Sequence, residues 1–400
     1  MRRAVVAGLV TVVVGYTGAF AVVLTGLRSV GATPAQAASG LAVLCLTMGV
    51  ATIAMAWRYR MPITIAWSTP GAALLATAGA PDGGWPAAVF AFIVTGALLV
   101  ITGMVPWLGR LVARIPTTLA QAMLAGVLVP ICLVPVQSVL TAPQMIAPVL
   151  LAWLVMLAWK PRWAAATSVG LALVIAVIAV ALGPGLGSLP APGGALVFTL
   201  PVPSWSAAVG LALPLWLVTM ASQNIPGAAV LGTFGYQAPW RPALIVTGLG
   251  TVVGAPFGGH AINYAAISAA LAASADAGED PSGRWRAAVV AGVGYLAFGG
   301  VTATITGLVF AGPPGLLQAA AGVALLGALG SSLAGALAPS EGRESVVVTF
   351  LVAASGISVL GVGAAFWALA AGLLVRGVAL RARQGFRRRD ARSRAAESVL

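Results

Sequence analysis

The chain has 400 residues, of which 60% are hydrophobic and only 7% charged, with a formal net charge of +13. A soluble domain is nearer a quarter charged, and at a mean hydropathy of +1.03 too few polar side chains exist to wet two or three such domains. The positive charge does not mark a nucleic-acid binder, because the arginines sit between long apolar runs or in the stretch that follows the last one.

Apolar runs of about 20 residues, each able to cross about 30 Å as a helix, follow one another along the whole sequence. Fourteen membrane segments are predicted, at 4–27, 35–56, 62–80, 86–106, 115–135, 143–159, 163–183, 205–225, 239–254, 256–274, 286–310, 315–337, 345–359 and 361–379. The first begins like a signal peptide, with Met1-Arg2-Arg3 before an apolar run. That run continues to Leu27 without an A-x-A-like site and reads as an uncleaved first span. The third and tenth are short and rich in Gly and Pro, and Pro226-Gly227 interrupts the eighth. Cys45 and Cys132 both lie in apolar runs, which is no disulfide framework.

Loop charge tests this count. With both termini in the cytoplasm, all of the 21 Lys+Arg residues except Arg28 fall on the cytoplasmic side, as the positive-inside rule requires. The Arg-rich stretch beyond Arg381 also suits anionic lipid. Fourteen segments divide into two sevens, and an odd number per half makes the second half enter the membrane from the opposite side. That is the inverted-repeat plan of many secondary transporters. The break falls in the uncharged Gly/Pro stretch from Gly183 to Pro203, and segment three then pairs with segment ten.

Segment three opens Met61-Pro62-Ile63-Thr64-Ile65-Ala66-Trp67, which favours extended chain. Ser68-Thr69-Pro70-Gly71 follows, a helix-start signal. The chain therefore changes from extended to helical in mid-membrane, where irregular backbone must be buried in protein or line a cavity. The positive N-terminal end of the new helix suits an anion; a Pro kink in a packed helix is the alternative. In segment ten, Ala255-Pro256-Phe257-Gly258-Gly259-His260 repeats the device, with helix expected from about Gly259 or His260 and Asn263 just beyond. The glycine pair permits close approach of backbone to ligand.

His260 is the only histidine and, Tyr and Cys aside, the only ionisable side chain well inside a span. It is either a proton-coupling group or a neutral ring bonded to a carbonyl. Segment eight brings Thr219, Ser222, Gln223 and Asn224 to its Pro-Gly break. These could orient a carboxylate or a water, or join helices by hydrogen bonds. Tyr16, Thr17 and Phe20 of segment one suit either an aromatic ligand or ordinary packing. No Asp or Glu lies in a span: Asp82, Asp276, Glu279, Asp280, Glu341 and Glu344 are placed in loops, and Asp390 and Glu397 in the tail. Sodium coupling is disfavoured accordingly. There is no Walker A motif for ATP, and no HExxH or Cys cluster. No cofactor or metal is expected, and an enzyme is not indicated.

At these residues the chain resembles the benzoate/proton symporter (BenE) family. The stretches that carry the resemblance are Tyr59-Arg60-Met61-Pro62, Ala66-Trp67-Ser68-Thr69-Pro70-Gly71-Ala72-Ala73-Leu74-Leu75, Ser222-Gln223-Asn224-Ile225-Pro226-Gly227 and Ala255-Pro256-Phe257-Gly258-Gly259-His260 with Asn263. The resemblance implies an all-α polytopic membrane protein with a seven-plus-seven inverted fold, in which segments three and ten are each a short strand plus a half-helix. A core domain would comprise 1–109 and 205–311, and a gate domain 110–185 and 312–380, with an inter-repeat loop at 186–204 and a basic tail at 381–400. It also implies import of benzoate or a similar aromatic monocarboxylate with a proton across the inner membrane. The substrate would sit between the two half-helices beside segment eight, and a homodimer would form through the gate. Nucleobase relatives carry acidic residues in segments eight and ten, where this chain has Gln223 and His260. That departure fits an anion. Another small organic anion, a nucleobase or a passive anion channel are the alternatives.

Overall fold

The computed structural model describes residues 1–400 other than 191, 192, 195, 340, 341, 360, 361 and 398–400. Glu341, the first residue of the predicted last segment, parts of the inter-repeat loop and the end of the tail therefore lie outside the described residues.

All fourteen segments are present. The first is α1 (Arg2–Thr17) with α2 (Phe20–Ser29), and the second is α3 (Pro34–Tyr59). The third is β1 (Ile65–Trp67) with α4 (Thr69–Ala78), and the fourth is α5 (Gly84–Met104). A short helix α6 (Pro106–Ala113) leads to α7 (Thr117–Thr141), α8 (Pro143–Trp159) and α9 (Pro161–Leu182). The second half has α10 (Trp205–Thr233), α11 (Trp240–Gly254), β2 (Ile262–Tyr264) with α12 (Ala266–Ala273), and α13 (Trp285–Ala311). It continues with α14 (Leu316–Leu337), α15 (Arg343–Ala354), the small strands β3 (Ser358–Val359) and β4 (Val362–Gly363), and α16 (Ala364–Glu397). Among the described residues, nine helical stretches are long and apolar enough to cross a membrane alone. The segments that are too short are the third, sixth, ninth, tenth and thirteenth. The predicted third and tenth are thus short for the reason expected: each spends part of its crossing as a strand.

Three predictions need correcting. The helix of segment ten does not begin at Gly259 or His260. Ala255–Phe257 is a 3-10 turn, Gly258 is left-handed (φ 93°), the chain then extends through β2, and helix begins only at Ala266. Nor does Pro226-Gly227 interrupt segment eight. Pro226 lacks an N–H and its ring crowds the preceding turn, but a wide π turn at Met220–Asn224 absorbs the mismatch and helix continues to Thr233. The break in a central helix lies instead in segment one, at Gly18–Ala19 between α1 and α2. Glu344, placed in a loop, sits in the first turn of α15.

The packing repeats under exchange of halves. Helix α3 packs on α13 as α5 packs on α11, and α1 meets α12 as α10 meets α4. In the other group α8 lies on α9 as α15 lies on α16, and α9 touches α14 as α16 touches α7. These are segments two with eleven, four with nine, and so on, which is the signature of an inverted repeat. The crossings use the same device twice. At Gly96 and Gly248 an added Cβ would fall 2.8 and 2.7 Å from the partner's carbonyl oxygen, and at Gly49 and Gly292 it would fall 2.9 Å away in both directions. Only glycine lets the backbones approach this closely, the small-residue packing that holds helices together in lipid.

Strand β1 pairs antiparallel with β2 at the centre, with Ile65 opposite Tyr264, Ala66 opposite Asn263 and Trp67 opposite Ile262. Its edges are satisfied in a matched way. The Ile65 N–H donates to Thr52 Oγ1 on α3 (2.9 Å), and the Ile262 N–H donates to Thr251 Oγ1 on α11 (3.1 Å). An unpaired backbone group costs several kcal/mol in hydrocarbon, so these two threonines make a mid-membrane ladder tolerable.

Beyond the far end of α12, Arg284 is 9% exposed. It donates to the carbonyls of Ala273 (2.8 Å), Gly278 (2.8 Å) and Glu279 (3.1 Å), a cation closing a helix C-terminus. In the same loop, hydrogen bonds from Ser282 hold the Asp280 carboxyl below its usual range.

Candidate substrate site at the strand ladder

The ladder delivers two helix N-termini to the middle of the protein. At the first, Ser68 is fully buried and caps α4: the Gly71 N–H donates to its Oγ (3.1 Å), and Thr219 Oγ1 of α10 donates to the same oxygen (2.8 Å). Thr69 is half-buried. Gly71 is held by Leu215, whose Cδ1 would lie 2.5 Å from an added Cβ. At the second, Ala265 occupies the corresponding place and no side chain caps α12. Two extended ladder bonds tie the starts together: the Ser68 N–H donates to the Ala261 carbonyl (2.9 Å) and the Ala265 N–H to the Thr64 carbonyl (3.0 Å).

Opposed residues of an antiparallel pair share a face. One face of the ladder therefore carries Thr64, Ala66, Ser68, Asn263 and Ala265, and the other carries Ile65, Trp67, Ile262 and Tyr264. Ala66 is half-buried. Asn263 is fully buried; its Nδ2 donates to the Tyr264 carbonyl (2.7 Å), and its Oδ1 has no protein donor. Thr64 Oγ1, also buried, has no protein partner.

The remaining predicted residues divide. Asn224 is fully buried and acts on the ladder: its Oδ1 accepts from the Tyr264 N–H (3.0 Å). Ser222 donates to the Val218 carbonyl, and Gln223 is half-buried. Thr17 is half-buried and donates to the Val13 carbonyl (2.7 Å). Tyr16 and Phe20 lie in the packed interior. The Tyr16 ring stacks on Phe20 (5.2 Å between centroids) and Phe298 (4.4 Å) and tilts against Trp67 (5.7 Å). Gly258 and Gly259 make a close approach, but to α3: a Cβ on Gly258 would meet Gly40 Cα at 3.0 Å, and one on Gly259 would meet Val43 Cγ1 at 2.9 Å. His260 is fully buried, its ring edge-on to Phe92 of α5 (6.4 Å), with the Ala261 backbone as its polar neighbour and neither ring nitrogen at full hydrogen-bond geometry.

Sequence reasoning missed Thr52, Thr251 and Thr64 and did not give Thr219 its role. The available signal was weak. Thr52 and Thr251 are threonines in apolar helices, each shortly before an extended piece, and a threonine in a membrane helix usually bonds its own preceding turn. A crevice of about 480 Å³ lies beside the first turn of α1, lined by Arg2, Arg3, Leu271 and Asp276 among others. It sits toward the far end of α12 from the ladder.

Two inverted seven-segment halves, with discontinuous helices meeting at mid-depth, define the class: a multi-pass α-helical membrane protein with the architecture of secondary transporters. Solved structures share the fold. The transmembrane domain of a cyanobacterial bicarbonate transporter, BicA, matches with a TM-score of 0.59 at 16% identity, over 93% of this chain and 97% of that one. Murine Slc26a9 in the inward-facing state matches with a TM-score of 0.60 at 12% identity, over 96% and 69%. The model of the BenE family, benzoate membrane transport protein, matches residues 2–378, and the chain belongs to that family of membrane transporters. It is no enzyme. It is 41% identical over 368 residues to the inner membrane protein YdcO of Escherichia coli, covering 92% of this chain and 93% of that protein. It is 29% identical over 376 residues to the benzoate membrane transport protein of Acinetobacter baylyi, covering 93% of each.

Proposed function

We propose that this chain imports benzoate or a similar aromatic monocarboxylate across the inner membrane by proton symport. The observation that carries the reading is the ladder, which presents two half-helix starts where the neighbouring spans hold no fixed anion. A carboxyl group there meets backbone N–H groups and positive helix ends, with Gln223, Thr69 and Ala66 as half-buried neighbours. The name of the Acinetobacter relative supplies the substrate, and that of the Escherichia relative the inner membrane. The packing groups α1–α5 with α10–α13 and α7–α9 with α14–α16; we take these as the core and the gate, one moving against the other to alternate access. Benzoate entering with one proton is net neutral, so the pH gradient rather than the membrane potential drives accumulation. The test is radiolabelled benzoate uptake by the purified chain in liposomes. Saturable uptake that rises as external pH falls, shows counterflow and collapses with a protonophore is expected. Uptake indifferent to the protonophore, or without counterflow, overturns symport by a carrier.

A further inference from the structure

The proton in this scheme needs a carrier. The elements packed on the ladder and on α12 offer few. Their titratable or charged groups are Cys45, Arg58 and Tyr59 on α3, Arg241 on α11, Tyr264 on β2, Arg2, Arg3 and Tyr16 on α1, Asp276 in the turn after α12, Arg284, which donates to the last carbonyl of α12, and Arg286 and Tyr295 on α13; α4, α10 and α12 carry none. None of these ordinarily titrates near neutral pH. His260 does in water, but its ring is fully buried, edge-on to Phe92, with neither nitrogen at hydrogen-bond geometry to a side chain.

What the ladder does offer is an orphan acceptor. The Tyr264 carbonyl can accept only from the amide nitrogen of Asn263, so that bond (2.7 Å) fixes which way the amide points and leaves Oδ1 as the unpaired atom. A buried acceptor without a donor costs about 1–3 kcal/mol, which a ligand donor would offset. Asn263 lies two residues before Ala265 on the same ladder face, and Thr64, whose hydroxyl is also unpaired, lies opposite Ala265. The site at the start of α12 therefore combines backbone donors with a fixed side-chain acceptor. A carboxylate matches the donors but sets oxygen lone pairs against Asn263 Oδ1. A protonated carboxyl group matches both, since its C=O accepts and its O–H donates.

We propose that the substrate's carboxyl group binds in its protonated form, the O–H donating to Asn263 Oδ1 and the C=O accepting from the first turn of α12, so that the coupled proton enters on the substrate itself. The acid takes its proton from the outer solution, crosses neutral, and releases it by dissociation inside. No side chain changes its protonation. This rests on the aromatic-acid reading above, and makes Asn263 the residue that selects the protonation state.

The two ideas fail differently. In liposomes, after subtraction of uptake into protein-free vesicles, ring-substituted benzoic acids whose own pKa values span about two units are compared. If the acid form binds, apparent KM in total substrate rises about tenfold per pH unit above the acid's pKa, because only the protonated fraction competes for the site. The profile then moves along the pH axis one unit for each unit of substrate pKa. Benzamide, permanently neutral with an N–H donor in place of the O–H, is expected to inhibit equally at all pH values. A profile whose midpoint is the same for every acid, with benzamide inert, overturns the inference while leaving aromatic-acid transport standing. If no aromatic acid is taken up, the parent reading fails and this one with it.

Discussion

The two half-helix starts have the same backbone and different chemistry. At α4 the end is closed within the protein: Ser68 caps it, Thr219 bonds Ser68, and Leu215 presses on Gly71. At α12 no side-chain cap is present, and the nearest polar side chains on the ladder face, Thr64 and Asn263, keep unpaired oxygens. An inverted repeat duplicates geometry, so any functional difference between its halves must come from side chains. Here one end is braced by side chains and the other is left uncapped.

The largest expected effect comes from breaking the brace of the ladder itself. Asn224→Leu leaves the buried Tyr264 N–H without its acceptor and should destabilise by about 1–3 kcal/mol, read as a lower midpoint of thermal unfolding in detergent together with loss of uptake. Unchanged melting would remove Asn224 from the ladder's support. Next is Ser68→Ala, which deletes the cap of α4 and the partner of Thr219; a loss of about 1 kcal/mol is expected, with Ser68→Thr retaining most of it. Equal melting of the alanine variant and the parent would show that α4 is not braced there.

A smaller change tests the uncapped end by making it resemble the braced one. Ala265→Ser supplies α12 with the cap it lacks. The added hydroxyl should raise the melting midpoint slightly and raise the KM for benzoate several-fold, because it occupies donors the ligand would use. A lower KM would place the ligand elsewhere. The smallest effect is expected at His260, whose buried ring lies edge-on to Phe92: His260→Met should keep proton-driven uptake within about twofold of the parent, a volume-tolerant exchange in a packed site. Loss of the pH dependence with retained uptake would make the histidine a proton carrier after all.

Much of this was legible in the sequence. The fourteen segments, the inverted halves and the strand-to-helix change at Ser68 follow from hydropathy, loop charge and a helix-start signal, all of which act locally. The start of α12 was not legible, because Gly258 and Gly259 read as a close approach of backbone to ligand beside a helix start, whereas their missing side chains make room for Gly40 and Val43 of α3. That is a contact between residues more than 200 apart in sequence. The unbroken α10 was hidden for a related reason: a π turn relieves Pro226, and its presence depends on the backbone around it rather than on any residue type. The β3–β4 hairpin consists of two-residue strands, too short to show a period. The role of Asn224 was open between ligand and helix contact, and the Tyr264 N–H decides how its oxygen is used.

Substrate is expected beside the two half-helix starts. Thr69, half-buried at the start of α4, can report on it directly as Thr69→Cys, in a background with the buried Cys45 and Cys132 replaced by alanine. Labelling by a water-soluble maleimide is measured against rising benzoate in a preparation shown to transport. Labelling should slow with a half-maximal effect near the KM for uptake. Labelling unaffected by saturating benzoate would contradict it.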